Sequence, residues 1–366
     1  MYAARLHAVG APFQLDEVAI PSPIGADVLI RVRACSLVPN LRNVVTHYPE
    51  WFPQLPLPAL PAIYGLDAAG EIAALGPDAL GLRVGQRVYV NPLRFCGTCE
   101  RCRMERVTDC SSLILQGYFG ASENGQAMFE RYPSGGLAEY MIAPGSAMVT
   151  LGDDVSFASA SRFGYLGTAY AALRRAKAGP DTTVLVYGAT GTIGVGGVLS
   201  ALALGVPKIL AVGRNEGLLE RIRQIAPRRI LTHSTAQGAA EGWAKSHTGG
   251  TGANVVLEAL SPEAPVSAMT DLFATTARRG TIVSVGGAKE IMPFDPQWLM
   301  RNNIRYFGSG WFTTREAQGM SDLVSSGVLD LSVIENVAFD LDRVNEALDY
   351  ACGGRDGGMC NVVVQP

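Results

Sequence analysis

The hydrophobic pattern changes character along the chain. Up to about residue 150, short apolar or alternating runs recur between turn residues: DVLIRVRAC (27–35), AAGEIAAL (68–75) and RVYVNP (87–92). Short strands at this spacing predict a compact antiparallel β unit. From about residue 165, β-type runs alternate with helix-length segments. VLVYGA (184–189), KILAVG (208–213), RRILTHS (228–234), NVVLEAL (254–260), TIVSVGG (281–287) and IRYFGSG (304–310) read as six strands, with helices such as 193–205 and 215–226 between them. This alternation predicts right-handed βαβ crossovers and a parallel sheet covered on both faces. The last stretch, 311–366, holds one helix-like segment, TTREAQGMSDLVSSG, and a final VVVQP, and is expected to return to the first unit.

Composition narrows the picture. A chain of 366 residues exceeds what one core usually holds, so two domains are expected. Apolar residues make up 48% and charged residues 17%, which excludes a disordered chain. Thirty basic against 33 acidic side chains leave a net charge of −3, with no basic excess for nucleic acid and no polybasic run for an anionic membrane. Val184 to Val206 carries no charge and is long enough for a membrane span. Its glycines and opening VLVY instead predict a buried strand followed by a buried helix. No signal peptide is visible, and the chain reads as cytoplasmic, with a small molecule as its partner.

Two motifs carry chemistry. After VLVY come Gly188, Ala189, Thr190, Gly191, Thr192, Ile193 and Gly194, then an apolar helix. A strand, a glycine turn and a helix N-terminus make an anion site that suits a dinucleotide pyrophosphate. Gly191 lets the backbone approach the phosphates and Gly194 lets helix and strand pack closely. Ala189 stands at the usual first glycine of G-x-G-x-x-G, so the motif draws its weight from the strands around it. The next strand ends at Gly213, followed by Arg214 and Asn215. No carboxylate stands there to accept from a ribose 2′-hydroxyl, and a guanidinium is available for a 2′-phosphate, so NADP(H) is expected over NAD(H). Thr168 and Val285 complete the expected cofactor contacts. The second motif is Cys96, Cys99, Cys102 and Cys110, four of seven cysteines within one short loop. An all-thiolate set leaves no open coordination position, which predicts one structural Zn²⁺ in a lobe spanning 91–112, its charge offset by Arg101, Arg103 and Arg106.

Together with VRAC (32–35), PAIYGLDAAGEI (61–72), VGQRV (84–88), GGLAEYMIAP (135–144) and RVNEALDY (343–350), these motifs resemble the medium-chain dehydrogenase/reductase family of zinc alcohol dehydrogenases and quinone reductases. The resemblance spans essentially the whole chain. It implies an α/β fold class: a Rossmann doubly wound sheet (165–310) plus a GroES-like, mostly β catalytic domain (1–164, rejoined by 311–366). The reacting centre would lie between them. It also implies a homodimer or homotetramer, formed through the edge strand near 304–310.

At the positions where the family's alcohol dehydrogenases carry catalytic zinc ligands, this sequence has Val38, the pair Leu66-Asp67 and Gly164. Val and Leu cannot bind zinc and Gly has no side chain, so the resemblance implies a member without a catalytic metal. Hydride addition to a polarised acceptor then needs only a donor for the developing oxyanion. The candidates are Asn40, Tyr48, His47 and Asp67, with Arg42 a further possible donor. Each also has a plain reading: Asn40 as a turn cap, Tyr48 as loop packing, His47 as a surface residue, and Asp67 as a partner of Arg42 or Arg94. Leu66 and Tyr165 are expected to face the cleft, with Leu66 filling the metal space. The expected activity is NADPH-dependent reduction of an enone, enal, quinone, ketone or imine-like acceptor. The alternatives are an NADP(H)-dependent alcohol dehydrogenase and a non-catalytic nucleotide-binding protein.

Overall fold

A computed structural model describes residues 1–292, 294–354 and 356–366 of the chain. The alternating half of the sequence folds as its pattern predicts. Strands Thr183–Tyr187, Lys208–Gly213, Ile230–Ser234, Ala253–Glu258, Thr276–Ser284 and Arg305–Gly308 form one sheet, every adjacent pair parallel. Numbered within this sheet, their spatial order is 3-2-1-4-5-6. The order reverses between Thr183–Tyr187 and Ala253–Glu258, and the crevice beyond the carboxyl ends of these two strands is where such sheets bind ligands. The uncharged stretch from Val184 resolves into a strand and the helix Thr192–Ala203, both largely buried. A Cβ on Gly196 would come within 3.2 Å of Leu166 Cα, and one on Gly197 within 2.4 Å of Leu257 Cδ2. These glycines let the helix lie close to both its neighbours.

The first half builds a second sheet. Its main path runs Met148–Thr150, Arg87–Val90, Asp67–Leu75, Asp27–Ser36, Cys360–Gln365 and Glu335–Asp340, with Tyr140–Pro144 also paired to Asp27–Ser36. The strands from the first 150 residues pair antiparallel, whereas Glu335–Asp340 and Cys360–Gln365 are parallel to each other. Val363 and Val364 lie opposite Ser36 and Cys35, so the C-terminal strand joins the sheet of the N-terminal half. The helix Phe163–Arg175 runs from beneath this sheet to the side of Thr192–Ala203 and links the two halves. Among the described residues no helix is long and apolar enough to cross a membrane.

Candidate functional site

Two cavities meet at the glycine turn. One, of about 510 Å³, is lined by Gly188, Thr190, Gly191, Gly213 and Arg214, with Thr235 and Asp271 opposite. The other is a cleft of about 610 Å³ between the two sheets, lined by Gly191, Thr192, Ile193, Thr168 and Val285 on one side and Asn40 and Tyr48 on the other. Both reach the switch point, and Gly191 borders each. A Cβ on Gly191 would meet only Gly188 O, at 3.4 Å, whereas one on Gly194 would lie 2.1 Å from the same oxygen. Gly191 thus keeps the approach to the helix N-terminus open, and Gly194 permits tight packing. Ala189, Gly194 and Asn215 of the expected cofactor set line neither cavity. The Ala189 amide bonds Val212 O at 2.9 Å, and the Asn215 side chain accepts from the Leu218 amide at 3.0 Å, capping the helix Glu216–Ile225. Arg214 is exposed at the end of its strand, and among the described residues nothing pairs with its guanidinium.

The cleft floor is phenolic. Asn40 Nδ2 donates to Tyr48 Oη at 3.0 Å and to Tyr118 Oη at 2.8 Å, while Asn43 Nδ2 donates to Asn40 Oδ1 at 3.0 Å. Both faces of the Asn40 carboxamide are thereby used, and its side chain caps no helix. Tyr118 and Tyr165 both line the cleft beside them. Burial pushes the Tyr48, Tyr118 and Tyr165 phenols above the ordinary value. All three therefore keep their protons near neutral pH. Phe52, at 4.9 Å between ring centroids, and Phe119, at 5.3 Å, pack on Tyr48. Phe52 belongs to the aromatic-rich stretch 48–64 from which an apolar pocket is expected, whereas Tyr118 and Phe119 were not expected, because nothing in their local pattern separates a cleft residue from a core aromatic.

Asp67 lies below this floor. It is buried, accepts from Tyr89 Oη at 2.7 Å, and lies against Gly164 and near the guanidinium of Arg162. A Cβ on Gly164 would fall 2.0 Å from Asp67 Oδ1, so the carboxyl group occupies the space of the missing side chain. Burial raises Asp67 from an ordinary 3.8 to about 7, against the opposing pull of Tyr89 and Arg162. Three sequence expectations change here. Asp67 meets neither Arg42 nor Arg94: Asp349 and Cys352 hold Arg42, and Arg94 is buried on Gln116 and the carbonyls of Asn91 and Leu93. Leu66 packs in the core and does not line the cleft, because Asp67 takes the space predicted for it. His47 is exposed, stacked on Trp51 at 4.8 Å, and lies outside the lining. Tyr165 lines the cleft as expected, and Cys35 is a buried core thiol.

The four lobe cysteines converge. Their sulfurs all lie within 4.8 Å of one another, with Cys99 to Cys102 at 3.5 Å, Cys96 to Cys110 at 3.6 Å and Cys96 to Cys102 at 4.0 Å. Zn–S bonds of about 2.3 Å in a tetrahedron require sulfurs about 3.8 Å apart, so the set fits zinc. Amides of Cys96, Cys99 and Ser112 point at the sulfurs from 3.3–3.4 Å. Two of the arginines expected to offset the charge are engaged elsewhere: Arg103 donates to Thr98 O, and Arg106 pairs with Asp109 at 2.5 Å. Among the described residues no other group brings three or more such donors together.

Residues 25–153 match the alcohol dehydrogenase GroES-like domain, and residues 192–326 match the zinc-binding dehydrogenase domain. The chain belongs to the medium-chain dehydrogenase/reductase superfamily. This oxidoreductase is 29% identical to an alcohol dehydrogenase of Geobacillus stearothermophilus over 350 residues, 94% of this chain and 96% of that one. It is 26% identical to an NAD-dependent alcohol dehydrogenase of Sulfurisphaera tokodaii, covering 95% of this chain and 96% of the other. The alcohol dehydrogenase TADH from Thermus sp. ATN1 has the same fold, with a TM-score of 0.84 at 21% identity, covering 100% of this chain and 99% of its own. A nicotinamide cofactor and a structural zinc in the lobe follow for this medium-chain oxidoreductase.

Proposed function

We propose that this chain is an NADPH-dependent reductase of a small or medium polarised acceptor, an enone, enal, quinone or ketone, with no catalytic metal. The observation that carries the reading is the filled ligand space. The Asp67 carboxyl group stands where a Gly164 side chain would project, and the cleft above it is floored by Tyr48, Tyr118 and Tyr165. Val38 and Leu66 offer no metal-donor atom, and the Asp67 carboxyl group is held by Tyr89 Oη. When bound, a reduced nicotinamide supplies hydride to an electron-poor carbon.

The chain's own residues then manage the oxygen. Asn40 donates to the Tyr48 oxygen, which leaves the Tyr48 hydrogen free to bond the oxygen that gains charge. Its raised titration keeps that hydrogen in place at neutral pH. Donors placed where charge develops act most strongly where water is scarce, and Phe52, Phe119 and Trp311 give this cleft apolar walls. Arg214 supports the choice of NADPH, because among the described residues nothing pairs with its guanidinium and no carboxylate ends its strand.

A panel of enones, quinones, ketones and secondary alcohols, assayed with both cofactors, with zinc content measured alongside, tests the proposal. One zinc per chain and NADPH-dependent reduction that survives a chelator are expected. Two zincs per chain and activity lost to the chelator overturn it. The relatives' names favour a second reading, an alcohol/ketone dehydrogenase, which the secondary alcohols in the panel address. NADPH binding without turnover of any acceptor points to a non-catalytic nucleotide-binding protein. We also propose self-association through the edge strand Arg305–Gly308. Exposed Phe294, Met300 and Tyr306 lie on or near it.

A further inference from the structure

The zinc lobe and the substrate cleft share a root. Strands Leu93–Arg94 and Ile114–Leu115 pair antiparallel, Leu93 opposite Leu115 and Arg94 opposite Ile114. The four cysteines lie between these strands in sequence, so the strands form the stem of a loop that the metal closes. Buried Arg94 ties the stem together. Its Nε donates to Gln116 Oε1 at 2.6 Å, and its Nη1 to the carbonyls of Asn91 at 2.6 Å and Leu93 at 3.0 Å. Both ends of the stem run into cleft walls. On the outgoing side the Leu115 amide donates to Phe119 O at 2.9 Å, and the Tyr118 amide to Leu115 O at 3.0 Å. This turn carries Leu115, Tyr118 and Phe119 to the cleft together. On the incoming side stands Asn91, with no exposed surface. Its Oδ1 accepts from Trp311 Nε1 at 3.1 Å and from the Leu93 amide at 3.2 Å, and its Nδ2 donates to Phe312 O at 3.3 Å. Trp311, 220 residues further along the chain, is another wall of the cleft.

We propose that Asn91 is a positioning residue that couples zinc in the lobe to Trp311 in the cleft wall, so that zinc occupancy governs binding of the acceptor. Without the metal, four thiolates repel one another and the stem loosens. The Leu93 amide and the Trp311 indole share one acceptor oxygen, so a stem that shifts at Leu93 draws that oxygen away from the indole. Among the described residues the buried indole N–H has no other partner, and leaving it unmatched is costly enough to move the ring. No stem residue lines the cavity of Gly188 and Arg214, so cofactor binding is spared. The effect on an enone rests on the reductase reading above, whereas the link from zinc to Trp311 does not.

Acrylamide quenching of tryptophan fluorescence in the oxidised-cofactor complex tests the link without turnover. Parallel measurements with Trp311→Phe isolate the signal of that one indole. Quenching of Trp311 is expected to rise severalfold in Cys102→Ser, which lacks a zinc ligand, and to rise as much in Asn91→Leu with its zinc still bound. In turnover, both variants should raise the KM for 2-cyclohexenone about tenfold and leave the KM for NADPH unchanged. Trp311 quenching in Cys102→Ser equal to that of the unaltered chain overturns the proposal. If that variant does not fold, Asn91→Leu decides, and unchanged quenching there is equally fatal. A KM that rises for NADPH as much as for the enone also overturns it, because the lobe would then act on the whole fold rather than on the cleft. Failure of the unaltered chain to reduce the enone defeats the reductase reading, and the quenching result alone then judges the link.

Discussion

At the scale of single residues, the decisive groups are those whose surroundings leave them unsatisfied or displaced. Among the described residues Arg214 has no partner, so its charge is available to a 2′-phosphate. Arg214→Ala is expected to raise the Kd for NADPH about tenfold and to leave that for NADH nearly unchanged, as measured by fluorescence titration. Equal losses for both cofactors would contradict the assignment. Asp67 makes a pH prediction. Unfolded, its carboxyl group loses its proton near 3.8, and folded near 7. Between these values the folded chain binds the extra proton, so the contribution to stability falls as pH rises through the window and levels off above it. The full swing is on the order of 4 kcal/mol. Asp67→Asn stays neutral, so denaturant melts should show a smaller difference between pH 5 and pH 8 than the unaltered chain shows. An identical difference would place the titration elsewhere.

At the scale of elements, a helix and a strand fit because a glycine stands where a side chain would collide. The helix Phe163–Arg175 passes Asp67 at Gly164. Gly164→Ala is expected to lower Tm by several degrees, because its Cβ would displace a buried carboxyl group held by Tyr89. Unchanged melting would mean that the strand Asp67–Leu75 and the helix shift apart freely. The zinc lobe is an element held by its metal. It has little regular structure beyond the short helix Glu100–Arg103, so its order depends on the four sulfurs. Cys102→Ser should abolish bound zinc and expose residues 95–112 to proteolysis while the dinucleotide cavity still binds cofactor. A lobe that stays resistant without zinc would assign its stability to packing alone.

At the scale of the whole molecule, the cleft is built from both halves and is completed across its mouth. Lys289, from the loop after Thr276–Ser284, sits 4.1 Å from the centroid of the Trp51 ring, and both line the cleft. The parallel sheet ends at Arg305–Gly308, whose outer edge has no strand beside it among the described residues. An open edge with exposed aromatics is a surface that pairs readily. Light scattering is therefore expected to give at least twice the mass of one chain, and Tyr306→Lys should shift the population toward monomer. A monomeric unaltered chain at micromolar concentration would end the edge-pairing expectation.

The sequence by itself determined the six parallel strands, the glycine turn and the thiol set. These are written in local periodicity and short spacings, which neighbouring residues enforce. The open end at Arg214 was legible for the same reason: it follows directly from where one strand stops. Only the tertiary structure decided which side chains meet around the cleft. Asp67 fills the Gly164 space, Asn40 reaches Tyr118, and His47 turns outward onto Trp51. The first two are contacts between residues far apart in sequence, and the third depends on how a short helix sits against the cleft. Such geometry follows from how the sheets and helices pack, and no local pattern encodes it.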